Sequence, residues 1–360
     1  MINRRKFINI ASTCAAFAAA GSFAFGKSTL KTPSYLKEYE ELYARDPRQA
    51  ALTWFKEAEF GLFLHYGLYS LLEGHYKGKH SKPAEWVLFR TDITLPEYEK
   101  LSDRFTAEKF DADFITDMAL NAGMKYINIT TRHHDSFCLF DSKHTDFKSI
   151  NSPAKRDLVG ELAEQCHQKS LGLCLYYSHG RDWRHPHGPD SMASSESVDY
   201  KEYIDFITGQ ITELLSNYGP IAAIWLDGLG TTKRLRRKTG KDVLKTQELY
   251  NHIHSLQPQV LVSYKKGFLG TEDFMAPERH WTGEPTKPLE ICNTMQGYSW
   301  GYDSADEGHH RGPDEVMMML ANAKAMPANL LLNTGPLPDG SIHPEDVKTL
   351  KKVGRRLHKA

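Results

Sequence analysis

From residue 60 to residue 335 the chain repeats one pattern: a short, nearly continuous apolar run, then an amphipathic stretch of helical period. The runs are FGLFLHYG, KYINITTR, GLCLYYSH, IAAIWLDG, QVLVSYK, PLEICNTM and ANLLLNTG. Strands covered on both faces need such unbroken apolar character, and they belong to parallel sheets. The stretches between them read as helices. In VDYKEYIDFITGQITELLSNYG, Ile204, Ile207, Ile211, Leu214 and Tyr218 recur at spacings of three and four, and Gly219 ends the run. FDADFITDMALNAG and RDLVGELAEQCHQKSLG behave the same way, each stopping at a glycine. Strand–helix alternation of this length dictates a parallel α/β fold. Seven runs favour a (β/α)8 TIM-like barrel, irregular in places, over an open sheet, with the missing strand hidden in GTEDFMAPERHW. No GxGxxG follows a strand and no GxxxxGK[ST] occurs, which argues against nucleotide binding. The basic TTKRLRRKTGKD reads as a solvated loop.

The amino terminus is a different kind of segment. Paired arginines in NRRKF precede the apolar INIASTCAAFAAAGSFAFG, with small residues before a cut near Gly26. This is the layout of an export signal, twin-arginine-like, with a Sec signal as the plainer alternative. It predicts an exported, periplasmic protein in a bacterial cell. The organisation that follows is a signal peptide over 1–26, a linker over 27–50 and a catalytic barrel over 51–360. ASTC is a poor lipobox, which argues against lipidation of Cys14. No later segment approaches the roughly 20 apolar residues of a membrane span. Cys138, Cys166, Cys174 and Cys292 show no CxxC spacing and read as buried free thiols rather than zinc or redox centres. The formal net charge is zero, so nothing points to nucleic acid or an anionic membrane as partner.

Polar residues gather where the apolar runs end: His65, then His133 and His134, Tyr177 and His179, Asp227, Lys265 and Glu290. In a barrel all of these ends lie on one face, where active sites are built. Any one of them alone could be an ordinary satisfied polar group; their convergence points to a site. The His133-His134-Asp135 row could hold a metal, but neighbours on an extended chain point to opposite sides, and no HExxH occurs. No metal is therefore expected there. A sugar pocket fits better, because imidazole and phenol groups exchange hydrogen bonds with hydroxyls while tryptophan covers a ring face. Glycoside hydrolysis asks for two carboxylates. Asp227 is the better nucleophile, since it ends an apolar strand and Gly228 lets the chain turn. Glu290 in PLEICNTM is the first choice for the acid/base, with Glu284 and Glu278 as rivals.

These blocks resemble the α-L-fucosidases of glycoside hydrolase family 29, from about Trp54 to Leu357. WFKEAEFGLFLHYGLYS is similar to the opening strand of the family, with Tyr66 where HWG is usual. KYINITTRHHDSFCLFDSKHTDF is similar to the HHDGF block, with Ser136 in place of glycine. GPIAAIWLDG resembles the nucleophile strand, and LEICNTMQGYSWGY the block usually written WE-x-C, with Leu289 for tryptophan. NLLLNTGPLPDGSI matches the closing strand. The resemblance implies Asp227 as nucleophile and Glu290 as acid/base of a retaining exo-glycosidase that needs no cofactor. It implies fucose contacts from His65, Glu85, Trp86, His133, His134 and Tyr177, with Trp225 and Trp300 shaping the pocket. For both histidines to face one sugar, the strand end must kink. The partner would be a fucosylated glycan or glycoconjugate. Many relatives carry a C-terminal β-sandwich; the last segment here, HPEDVKTLKKVGRRLHKA, reads as a final helix, so a catalytic barrel alone is expected. Two other readings fit the same residues: a retaining glycosidase for another galactose-configured sugar, and a non-catalytic carbohydrate-binding protein.

Overall fold

A computed structural model describes residues 31–193 and 197–359. The expected export signal, with Cys14 and Gly26, lies outside the described residues. The seven apolar runs all become parallel strands: β1 (Phe60–Leu64), β2 (Tyr126–Arg132), β3 (Gly172–Ser178), β4 (Ala223–Asp227), β5 (Leu261–Tyr264), β6 (Leu289–Thr294) and β7 (Ala328–Thr334). They form one sheet in the order β5-β4-β3-β2-β1-β7-β6. Every pairing is parallel. The sheet curls, and its two edge strands are linked through residues 274–278. Parallel bridges join Phe274 to Ser263, Met275 to Leu289 and Glu278 to Cys292. The missing strand thus falls inside GTEDFMAPERHW. It is irregular because Pro277 has no amide hydrogen to give to a ladder.

Alternation along each strand splits the apolar residues into two clusters. Leu62, Leu64, Ile127, Ile129, Ile224 and Leu226 face the helices. Phe63, Tyr126, Tyr176, Trp225 and Leu331 face the interior of the curled sheet. The helices carry the first cluster outward: Leu214 and Ile211, for example, belong to the helix Tyr200–Asn217. Burying side chains of this size contributes roughly 1.5–3 kcal/mol each, which offsets the backbone entropy of ordering the layer.

Three expectations are corrected. Residues 27–50 are not a linker throughout. From Ser34 onward they fold as a 3-10 helix, Ser34–Tyr39, and two helices, Glu40–Arg45 and Pro47–Glu57. Tyr35, Leu36, Tyr43, Trp54 and Phe55 pack into the interior cluster. A polar composition hid these few anchors. Trp54 lies so close to Gly172 that a Cβ there would meet its ring at 2.5 Å. Gly172 therefore opens β3, and the turn out of the preceding helix, Leu158–Gln168, uses Ser170 at φ 59° instead. Finally, the basic run is helical, Leu229–Thr239, with only Thr231 and Thr232 buried. A helix that is polar nearly all round shows no apolar stripe, and its cations gather in the last turn, where the helix dipole favours them.

Candidate active site

The C-terminal ends of the strands surround a cavity of about 510 Å³, in the range of small-ligand pockets. His65, Glu85, Trp86, His133, His134, Trp225, Asp227 and Trp300 all line it, as do Lys265 and Glu278. The sequence placed the first eight there by convergence and resemblance, and the fold brings them together.

Both histidines of the His133-His134-Asp135 row reach the cavity because β2 is bulged. Thr130 pairs with Tyr176 and Arg132 with Tyr177, so Thr131 is an extra residue on β2. The chain then turns: the Ser136 amide donates to the His133 carbonyl at 3.1 Å, with Ser136 at φ 71°. This is the position where the resembling block has glycine, and serine holds a backbone conformation that glycine adopts freely. Its hydroxyl donates to Asp182 at 2.9 Å. The imidazoles end side by side, with ring centroids 4.2 Å apart.

Their protonation follows from their partners. The Ser178 hydroxyl gives its one hydrogen to the Arg181 carbonyl at 2.7 Å. It must therefore accept from His134 Nδ1 at 2.6 Å, which leaves Nε2 as an acceptor. His65 Nδ1 likewise donates to Asn333 Oδ1 at 2.7 Å, while the Asn333 amide donates to the Trp300 carbonyl. Burial pushes the pKa values of His65 and His134 down to about 3, and that of His133 well below the usual range. The pocket imidazoles are thus neutral. His133 Nδ1 and Glu85 Oε1 are buried with no hydrogen-bond partner. Glu85 Oε2 accepts from the Trp300 and Gly301 amides at 2.9 and 3.0 Å. Burial pushes its pKa up to about 7.

Asp227 differs from every other carboxylate in the pocket. It ends β4, accepts the Gly228 amide at 2.6 Å and the Tyr176 hydroxyl at 2.8 Å, and lies 3.3 Å from Lys265 Nζ. Burial would raise its pKa. The Lys265 ammonium and the Gly228 and Tyr176 donors outweigh that, and hold the carboxyl well below the usual range. Lys265 Nζ also bonds directly to Glu278 Oε1. Burial works against its charge, but Asp227 and Glu278 raise its pKa above the ordinary lysine value. One ammonium therefore spans two carboxylates.

Two assignments change. Tyr177 points away from the cavity: its hydroxyl donates to Gln210 at 2.6 Å, and the Arg132 guanidinium lies 4.5 Å from its ring. On a strand, one step along the chain reverses the face, and Tyr176 is the inward residue. Glu290 points inward but lies beneath the cavity. Tyr126 and Trp225 occupy its two oxygens, at 2.7 and 3.0 Å, and it does not line the pocket. Glu278 does, whereas Glu284 does not. Trp225 forms the partition, with Glu290 on its indole nitrogen and Lys265 Nζ 4.5 Å from its ring centre. Lys265 was visible as a polar strand end without a role. Tyr176 carried no signal beyond its place one residue before Tyr177. Among the described residues, the one grouping of ligand-type side chains close enough for a metal is His310, His343 and Asp346, which includes none of the three pocket histidines.

The Alpha-L-fucosidase family model matches residues 26–360. The chain is 30% identical over 334 residues to the plasma α-L-fucosidase of Pongo abelii, a match covering 87% of this chain and 69% of that one. It is 27% identical to a putative α-L-fucosidase of Caenorhabditis elegans, where the match covers 84% of this chain and 64% of the nematode protein. Among solved structures, the α-L-fucosidase AlfC of Lactobacillus casei in complex with its α-L-fucose product superposes with a TM-score of 0.76. The two are 30% identical over 86% of this chain and 98% of AlfC. With a family match over nearly its whole length and a shared fold, the chain belongs to the α-L-fucosidase family of glycoside hydrolases.

Proposed function

We propose that this chain hydrolyses terminal α-L-fucosides with retention, using Asp227 as nucleophile and Glu278 as acid/base. The scaffold is read as a (β/α)8 barrel whose eighth strand position is taken by residues 274–278. The observation that carries the assignment is Lys265, in contact with both Asp227 and Glu278. A single ammonium between them keeps the two carboxylates near the ~5–5.5 Å separation of retaining enzymes. Neutral His65, His133 and His134, with the free Glu85 oxygen, receive the sugar hydroxyls, and Trp225 and Trp300 cover its faces.

In the first step an Asp227 oxygen attacks the anomeric carbon and the bond to the leaving oxygen breaks. Glu278 gives its proton to that oxygen. In the second step Glu278 takes a proton from water, the water oxygen attacks the anomeric carbon, and Asp227 leaves as carboxylate. The depressed pKa of Asp227 suits a group that must be ionised at every working pH. The test is an NMR record of the anomer first released from a panel of aryl glycosides. The reading expects α-L-fucose, released from the fucoside alone. Initial β-L-fucose would overturn retention, and turnover of an L-galactoside in preference would overturn the sugar. Export to a periplasm is proposed from the amino-terminal segment, and fractionation of the full-length chain tests it.

A further inference from the structure

The pocket is more basic than the molecule. The chain as a whole carries no formal net charge. Five cationic side chains nevertheless line this cavity, namely Arg90, Arg181, Lys265, Lys266 and Arg279, against the carboxylates of Glu85, Asp227 and Glu278. Two of the cations are committed: Lys265 to Asp227 and Glu278, and Arg181 to Asp190 at 3.0 Å. For Arg90, Lys266 and Arg279, no carboxylate stands within ion-pairing distance among the described residues. The chemistry proposed for the inner pocket does not use them. Fucose is neutral, and the groups that would grip its hydroxyls are neutral imidazoles.

Arg279 is held in place with some effort. Its backbone sits at φ 70°, unusual for a long side chain, and its amide donates to the Cys292 carbonyl at 2.7 Å. The guanidinium donates to the Tyr298 carbonyl at 2.6 Å and lies 4.7 Å from the Tyr298 ring and 5.4 Å from the Trp300 ring. Tyr298 is 44% exposed, an open aromatic face at the mouth of the cavity. Arg90 stands similarly, 5.5 Å from the Trp86 ring. A flat ring beside an uncommitted cation matches a sugar that bears an oxyanion: the ring takes the apolar face and the cation takes the charge.

We propose that the mouth of the pocket is a subsite for an anionic group, a sulfate ester or a carboxylate, on the sugar to which the fucose is attached. This rests on the fucosidase reading of the inner pocket. The test compares kcat/KM of the full chain on fucosyl-N-acetylglucosamine, the same disaccharide sulfated on the N-acetylglucosamine, and a fucosyl-glucuronate. Each exposed charge pair contributes a factor of about two to five, so three cations give the anionic substrates an advantage of about tenfold or more at low salt. That advantage shrinks as ionic strength rises. In Arg90→Ala, Lys266→Ala and Arg279→Ala the ratio of anionic to neutral rates falls toward one. The sulfated and carboxylated substrates separate the two oxyanions. Equal rates on neutral and anionic disaccharides, or a preference indifferent to salt and to these substitutions, would overturn the subsite while leaving the fucosidase reading intact. Should no fucoside turn over, that reading falls instead. The affinities of plain and sulfated N-acetylglucosamine then decide the subsite by the same criterion.

Discussion

The interior of the curled sheet holds two carboxylates one tryptophan apart, Asp227 partly open to the cavity and Glu290 fully buried, and they behave oppositely. Asp227, open to the cavity, is held ionised, because an ammonium and two hydrogen-bond donors outweigh its burial. Glu290 beneath it has only the neutral donors Tyr126 and Trp225, and burial carries its pKa up to about 7. Burial inside the curled sheet thus does not by itself set a carboxylate's charge. The charged partner and the open side decide. Glu290 has the raised pKa that a general acid needs, yet its oxygens are engaged and Trp225 separates it from the cavity. Glu278 has the access, and shares its cation with Asp227.

The sharpest way to break this contrast is to remove each carboxylate in turn. Asp227→Ala should lower kcat by at least about three orders of magnitude with the fold retained, as for other reaction-bearing residues. Azide should restore an inverted fucosyl azide by filling the vacated space, and ordinary turnover in this variant would end the nucleophile assignment. Glu278→Ala should cost roughly 10²–10⁴-fold on natural fucosides, but much less on a nitrophenyl fucoside, whose leaving group needs no proton. Azide should rescue the aryl substrate with retention. If Glu290→Ala shows that dependence on the leaving group and Glu278→Ala does not, the division between the cavity and the floor beneath it is drawn in the wrong place.

A pH series sharpens the other half. The folded pKa of Glu290, about 7, lies above the roughly 4.3 of an unfolded glutamate. Over that interval the folded state keeps a proton that the unfolded state has lost. The stabilisation is complete below the unfolded value and vanishes as pH rises through the folded one. Relative to Glu290→Gln, the wild type should therefore lose stability on the order of 3 kcal/mol between pH 4 and pH 8, read from paired denaturant titrations. A flat difference would mean that Glu290 is not held protonated. Asp227 has the opposite sign: its contribution is present above the unfolded aspartate pKa and is lost as pH falls.

The smallest effects concern the two neighbouring tyrosines of β3. Tyr176→Phe removes a donor from Asp227, and kcat/KM should fall by about tenfold. Tyr177→Phe removes a buried hydrogen bond to Gln210 and should cost about 1 kcal/mol of stability with kcat/KM unchanged. Equal kinetic losses in both would contradict the placement of their side chains.

That pair also marks where sequence reading stops. Seven apolar runs sufficed for the strands, because a strand covered on both faces must be apolar along its whole length. The same property hides which face a residue takes: with Tyr176 and Tyr177 both buried, no alternation distinguishes inward from outward. Asp227 was legible because it is a charge at the end of a run, followed by a glycine. Glu290 was legible in the same way, but its depth beneath the cavity was not, since periodicity does not record how far along the sheet a strand begins. Glu278 lies in a proline-interrupted segment with no period to read, and only the pairing of residues 274–278 between β5 and β6 brings it to Lys265. The sequence alone determined the parallel α/β architecture and the end of the sheet where the site must lie, since both follow from local pattern and chain direction. The tertiary structure decided which carboxylates share a cation and which face of β3 meets the substrate, because depth and register are set by contacts between residues far apart in the chain.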